Sequence, residues 1–138
     1  MYKKIILYII MTTKITAIYP KNAAKPAAPY SPAVQAGNTF YFSGQVALTP
    51  NGEFKNETLD TELTQIFTNI EILLSAGNLT KKNIAKVTIY LKDLQDYNAV
   101  NIRYAEFLGD ITPPARSCFE VAKLPLDAKV EIEIIAVI

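Results

Sequence analysis

Apolar residues recur along this chain with two different periods, and the switches between them mark out the elements. From 58 to 76, Leu59, Leu63, Ile66, Phe67, Ile70, Leu73 and Leu74 fall at steps of three and four, one stripe of an α-helix. Gly77 supplies its C-terminal stop. A second such pattern, Tyr97, Val100, Tyr104 and Phe107 facing inward, predicts a helix from Asp96 as N-cap to about Leu108. Gly109 ends it, and Pro113-Pro114 prevents its resumption. Elsewhere the period is two. Lys14–Tyr19 alternates weakly, while Ala33–Gly37 and Thr39–Val46 flank the turn signal Gly37-Asn38. Phe40 and Phe42 point to one side there, Tyr41 and Ser43 to the other. Ile84–Leu91 aligns Val87, Ile89 and Leu91, and Ala115–Ala122 and Lys129–Val137 flank a Leu-Pro-Leu-Asp turn. Pro20–Pro32 holds four of the eight prolines and reads as an extended loop.

The resulting order, β-β-β-α-β-α-β-β, predicts an α+β domain: one mixed sheet with both helices on one face. Residues 14–138 form that single domain, the right size for 138 residues, and residues 1–13 read as an N-terminal extension. The apolar run Ile5–Met11 is at the short limit for a signal peptide, lacks a cleavage site after it, and falls well short of a membrane span. The reading is of a cytoplasmic protein, with a mitochondrial one as the alternative, and no membrane partner. Two helices leave one sheet face uncovered. That face carries Tyr41, Ser43, Thr88 and Tyr90, poor in charge, and its expected cover is another copy of the chain.

Composition narrows the chemistry mainly by what is missing. Net charge is +1 with no basic run, which argues against a nucleic-acid partner, because phosphate binding needs clustered Lys and Arg. The chain has no His, which excludes a Ser-His-Asp triad and imidazole metal ligands. Its single cysteine, Cys118, excludes an intrachain disulfide and a CxxC motif. No glycine-rich phosphate loop is present. Carboxylates, hydroxyls, Arg, Lys and backbone groups remain, and no cofactor or metal is implied.

Arg116 follows two prolines at a strand start, where its planar fork could grip a carboxylate in bidentate fashion; taken alone, a surface ion pair is the commoner role for such a residue. Glu131 and Glu133 share one strand face, suited to positioning or deprotonating water near Arg, or simply to a solvated sheet edge. Ser43-Gly44-Gln45 ends a strand with a hydroxyl beside a residue that lets a ligand approach backbone, or is an ordinary turn. Tyr30 sits in a proline-stiffened loop and offers a held hydroxyl, or is one of several packing tyrosines. Cys118 has no base to activate it, so it reads as a small buried hydrophobe.

In combination these stretches resemble the RidA family, also called YjgF or L-PSP. The carriers are Pro114-Ala-Arg116-Ser-Cys-Phe-Glu-Val-Ala-Lys-Leu closing in Val130-Glu131-Ile132, together with Val87-Thr-Ile-Tyr-Leu-Lys-Asp-Leu94. Tyr97-Asn-Ala-Val-Asn101-Ile-Arg-Tyr104, Ala28-Pro-Tyr30-Ser-Pro and Phe42-Ser43-Gly44-Gln45-Val complete the set, from about Ile15 to Val137. Ala28 departs from the Gly that many members have before Pro-Tyr. The resemblance implies a chorismate-mutase-like fold, a homotrimer with sites between subunits, and cofactor-free hydrolysis of reactive enamines and imines such as 2-aminoacrylate to 2-keto acids and ammonia. Carried over by position, it implies that Arg116 clamps the substrate carboxylate and Glu131 orients or activates water. Tyr30 and Ser43 would line the site, Gly44 and Cys118 would offer backbone groups, and Asn101 would stand near it. Two other classes carry weight: an endoribonuclease or translation inhibitor, a label attached to this family, and a non-catalytic ligand-binding module of chaperone type.

Overall fold

The computed structural model describes residues 13–138; the expected N-terminal extension, apart from Thr13, lies outside the described residues. Six strands form one sheet in the order β1-β2-β3-β6-β4-β5. They are β1 (Ile15–Ile18), β2 (Ala33–Ala36), β3 (Thr39–Gln45), β4 (Ile84–Leu91), β5 (Ala115–Glu120) and β6 (Val130–Val137). The helices are α1 (Leu59–Ala76) and α2 (Tyr97–Leu108). The strands and helices follow one another as their periodicities predict. What the pattern could not reveal is that the last strand inserts at the centre, antiparallel to both β3 and β4. Only β4 and β5 run parallel, and α2 makes the crossover that parallel strands require.

The core lies between sheet and helices. Phe40 and Phe42 of β3, Val87, Ile89 and Leu91 of β4, and Val130, Ile132, Ile134 and Ala136 of β6 are buried with Leu63, Ile66, Ile70, Leu73 and Leu74 of α1. Phe67 and Phe107 stack at 4.4 Å between centroids and 7° between planes, which locks α1 to α2 on the same side. Stacked buried rings of this kind add about 0.5–1.5 kcal/mol beyond their area.

The element ends differ from the sequence expectation in instructive ways. α1 begins at a reciprocal cap: Thr58 accepts from the Thr61 amide at 3.1 Å, and the Thr61 hydroxyl accepts from the Thr58 amide at 3.0 Å. Gly77 does close α1, but with φ of −89°, and it is Asn78 that turns left-handed at φ 57°. Gly77 is favoured for another reason: a β-carbon there would crowd the Phe40 ring at 3.2 Å. Asp96 makes no cap hydrogen bond; Asp93 does, accepting from the Gln95 amide at 2.8 Å and opening a 3-10 turn that runs into α2. Tyr97, expected inward, is 39% exposed. β5 stops at Glu120, whose carboxylate accepts from the Leu94 amide, two residues short of the predicted end.

The uncovered face carries more charge than expected. Thr88 and Tyr90 of β4 lie opposite Glu133 and Glu131 of β6, and Lys86 joins them. The Tyr90 hydroxyl donates to Glu133 at 2.9 Å and the Lys86 ammonium to Ser117 at 2.7 Å, so part of this charge is already paired. Tyr41 and Phe119 stand exposed among them.

One buried carboxylate holds the layers in register. Glu62, within the apolar stripe of α1, is fully buried and accepts from the Lys129 amide at 2.9 Å and its ammonium at 3.2 Å. This anchors the residue that precedes β6. Removing the carboxylate strands the Lys129 amide, whereas the ammonium, on a side chain 35% exposed, can regain water. Glu62→Ala is therefore expected to lose about 1–3 kcal/mol for the orphaned donor alone. Glu62→Gln, which keeps an acceptor of the same shape, should lose less. Urea unfolding at matched protein concentration checks this, and equal midpoints for wild type and Glu62→Ala would refute it.

Candidate active site

Two groups of the residues singled out above assemble in this chain, at separate places. The first forms where β3 passes β6. Phe42 pairs with Ile134 and Gln45 with Ile132, so Ser43 and Gly44 together oppose Glu133, a β-bulge that re-aims both residues. The Ser43 hydroxyl donates to the Ser31 carbonyl at 2.7 Å and its amide donates to the Pro32 carbonyl at 3.0 Å, tying the proline-stiffened loop to the bulge. That brings Tyr30, 52% exposed, to the rim of a depression lined also by Ser43, Gly44, Val46, Pro125 and Glu131. Gly44 leaves room that this shape uses. A β-carbon there would lie 1.9 Å from a Glu131 carboxylate oxygen, so the carboxylate occupies the space that the missing side chain leaves.

Glu131 itself is half-buried, and among the described residues it makes no ion pair or side-chain hydrogen bond. Burial pushes its pKa up, and the like charge of Glu133 pushes it further. An unpaired carboxylate held above its ordinary range at the edge of a depression is suited to taking and returning a proton. Pro125 reaches the same depression from a turn in which Leu126 and Asp127 are both left-handed, at φ 56° and 53°.

The second group is built on β5 and α2. Arg116 and Cys118 pair with Val87 and Ile89 and share their side of the sheet, the side that carries the helices. The Arg116 guanidinium carbon lies 5.5 Å from the Tyr97 ring centre and 5.1 Å from that of Tyr104, and its Nη2 donates to the Tyr97 hydroxyl at 3.2 Å. Asn101 stands one turn from Tyr97 on that helix face, and its buried Oδ1 has no partner. Burial raises the Cys118 thiol pKa, which the Arg116 charge only partly offsets, so the sulfur stays protonated and is a poor nucleophile.

One chain does not bring Arg116 and Glu131 together. Glu131 pairs with Tyr90 and leaves the uncovered face, whereas Arg116 leaves the helix face of an edge strand. Strand alternation sends the two side chains opposite ways. Tyr30, Ser43, Gly44 and Glu131 do converge; Asn101 and Cys118 go with Arg116. Tyr97 and Tyr104 were read as packing residues and missed as neighbours of Arg116. Their spacing of seven with Asn101 between them, all on one helix face, was the signal available.

Among the described residues no three His, Cys, Asp or Glu side chains cluster as metal ligands, and no helix is long and apolar enough to cross a membrane.

The family model described as endoribonuclease L-PSP matches residues 20–138. A RutC family protein of Drosophila melanogaster is 47% identical, with 83% of each chain covered. A protein of Arabidopsis thaliana named Reactive Intermediate Deaminase A, chloroplastic, is 36% identical over 91% of this chain and 67% of its own. Among solved structures, the Rid-family protein YyfA of Yersinia pestis superposes with a TM-score of 0.88 at 34% identity, covering 91% of this chain and all of that one. A shared fold at these identities over nearly the whole domain establishes kinship, and the chain belongs to the endoribonuclease L-PSP family, whose members include the RutC and Rid proteins.

Proposed function

We propose that this protein is an enamine and imine deaminase that converts small 2-aminoacrylate-type intermediates to 2-keto acids and ammonia, at sites completed between the chains of a homotrimer. The observation that carries the proposal is the division of labour just described. A carboxylate-binding Arg116 and a proton-accepting Glu131 leave opposite faces of one sheet, and only a second chain can put one against the other. The uncovered face, with Tyr41 and Phe119 exposed, is the surface available for that contact. The relative named a reactive intermediate deaminase supports the same reading.

The chemistry asks for little machinery. Protonation at carbon converts the enamine to an iminium ion. Water adds to the nitrogen-bearing carbon of the iminium ion while Glu131 takes its proton. Glu131 then returns that proton to the carbinolamine nitrogen, and loss of the hydroxyl proton with C–N cleavage expels ammonia and leaves the keto acid. Arg116 holds the carboxylate in plane so that water meets the carbon at a fixed angle. Tyr30, Ser43 and Asn101 contribute hydroxyl and amide groups to binding, and Gly44 and Cys118 contribute backbone. The steps need neither imidazole nor cofactor. An endoribonuclease, as the family description has it, would have to work without a histidine and with a net charge of only +1.

Light scattering is expected to give three times the chain mass. Arg116→Ala and Glu131→Gln should each be inactive alone, yet their co-assembly should restore about a quarter of the sites if each site draws one residue from each neighbour. A monomer, or no recovery on mixing two folded inactive variants, would sink the between-chain site.

Arg116→Lys keeps the charge but loses the parallel pair of N–H···O bonds. Charge-assisted hydrogen bonds contribute roughly 1.5–3 kcal/mol each, so kcat/KM should fall about tenfold to a hundredfold. A dehydratase-coupled assay of 2-aminoacrylate loss measures it, with circular dichroism as the control for folding.

Activity should also depend on pH through Glu131. The base works only when ionised, so kcat/KM falls as pH drops through its folded pKa, which burial and Glu133 hold above the usual carboxylate range. Glu133→Gln removes the like charge and should move this acid limb to lower pH. The linkage to stability runs the opposite way. Folded Glu131 holds its proton more tightly than the unfolded chain does, so its contribution is present below the unfolded pKa and lost as pH rises through the folded one. An acid limb that stays put or moves upward in Glu133→Gln would refute the assignment.

A further inference from the structure

We propose that Tyr97 and Tyr104 are positioning residues that hold the Arg116 guanidinium through neutral groups alone, so that its charge stays free for the substrate carboxylate. The inference rests on the reading of Arg116 as the carboxylate clamp and adds how that clamp is kept ready.

Tyr97 and Tyr104 lie seven residues apart on α2, about 10.5 Å along the helix axis. The guanidinium carbon, 5.5 Å from one ring centre and 5.1 Å from the other, is in reach of both rings and is not pressed against only one. Both separations fall within the roughly 6 Å over which a ring face attracts a cation. The 3.2 Å bond to the Tyr97 hydroxyl then sets the rotation of the guanidinium about its own axis. An arginine at the start of an edge strand would otherwise sample many rotamers, and ordering it would weaken every binding event.

The contrast with Arg103 shows what is unusual. Arg103, on the same helix, has its charge met by Asp60 at 2.6 Å and by Glu106. Arg116 has no carboxylate within ion-pair distance among the described residues. Its neighbours are two aromatic rings, a phenol oxygen and a thiol kept protonated, none of which carries a negative charge. A structural arginine is neutralised by its partners; one meant to receive an anion must be held without being neutralised. The same corner leaves two buried polar atoms unpartnered, the Tyr104 hydroxyl oxygen and Asn101 Oδ1. Buried polar atoms rarely stay unpaired, so these two are open to a further hydrogen-bonding group.

The test uses the intact protein and two readouts: kcat and KM in the coupled 2-aminoacrylate assay, and the Kd of pyruvate, a non-reacting 2-keto acid that presents the same carboxylate. Tyr97→Leu removes ring and hydroxyl from a side chain that is already 39% exposed, so the fold should survive. It should raise KM and the pyruvate Kd about tenfold with a smaller change in kcat. Tyr97→Phe, which restores the ring, should recover part of the loss. Tyr97→Glu is the decisive variant. It puts a carboxylate against Arg116 and should weaken pyruvate at least a further tenfold beyond Tyr97→Leu, whereas Tyr97→Gln should not. Pyruvate binding unchanged in Tyr97→Leu, or equal in Tyr97→Glu and Tyr97→Gln, would overturn the inference while leaving Arg116 as the clamp. Full activity in Arg116→Ala would instead overturn the functional reading itself, a separate result.

Discussion

The packing of α1 and α2 against a single face of the sheet decides what each side can do. The covered side holds the aliphatic residues of β3, β4 and β6 in contact with the α1 stripe, and there the free energy of folding is gained. The other side is left with alternating positions that had to stay compatible with water or with another chain. It carries Thr88, Tyr90, Glu131, Glu133 and Lys86, partly paired with one another and partly not. Because β6 is central, the residues on its uncovered side sit mid-sheet, where Glu131 is desolvated by its own neighbours. Because β5 is an edge strand, Arg116 instead meets the end of α2. Fold and division of the site are one consequence of the same layering.

Charged groups in this chain sort by whether they are satisfied. Glu62 is the more deeply buried carboxylate, and it has both an ammonium and a backbone amide to meet it. Glu131 is the shallower one and has neither. Arg103 is locked between acids; Arg116 is cradled by tyrosines. In both pairs the satisfied member spans two elements and holds them in register. The unsatisfied member retains a free valence or a free charge, which costs stability locally and is tolerated where a ligand can use it. Gly44 belongs with this second set. Its missing side chain is the space in which the Glu131 carboxylate rests.

Element order, strand faces and both helices followed from periodicity, because burial on one face imposes period two on strands and 3.6 on helices whatever the tertiary detail. The residues of the candidate site stood out too: Tyr30, Ser43, Gly44, Glu131, Arg116 and their neighbours lie in runs that local pattern and family likeness pick out. Element ends were less legible. Asp93 and Asp96 are equally good caps on paper, and which of them bonds depends on whether a 3-10 turn precedes the helix. Gly77 looked like a conformational stop, but the tight fit around it comes from Phe40, 37 residues away in sequence.

What the tertiary structure alone decided concerns neighbours distant along the chain. The insertion of β6 between β3 and β4 put Glu131 beside the bulge at Ser43 and Gly44, a pairing no local pattern encodes because strand order is a property of the whole sheet. The parallel crossover through α2 returned β5 beside the very helix it follows, which placed Tyr97 and Tyr104 around Arg116. Sequence determines which face of an element each side chain takes. Only the packed sheet determines which faces meet, because that is settled by burying the apolar faces together and leaving the polar residues wherever the topology carries them.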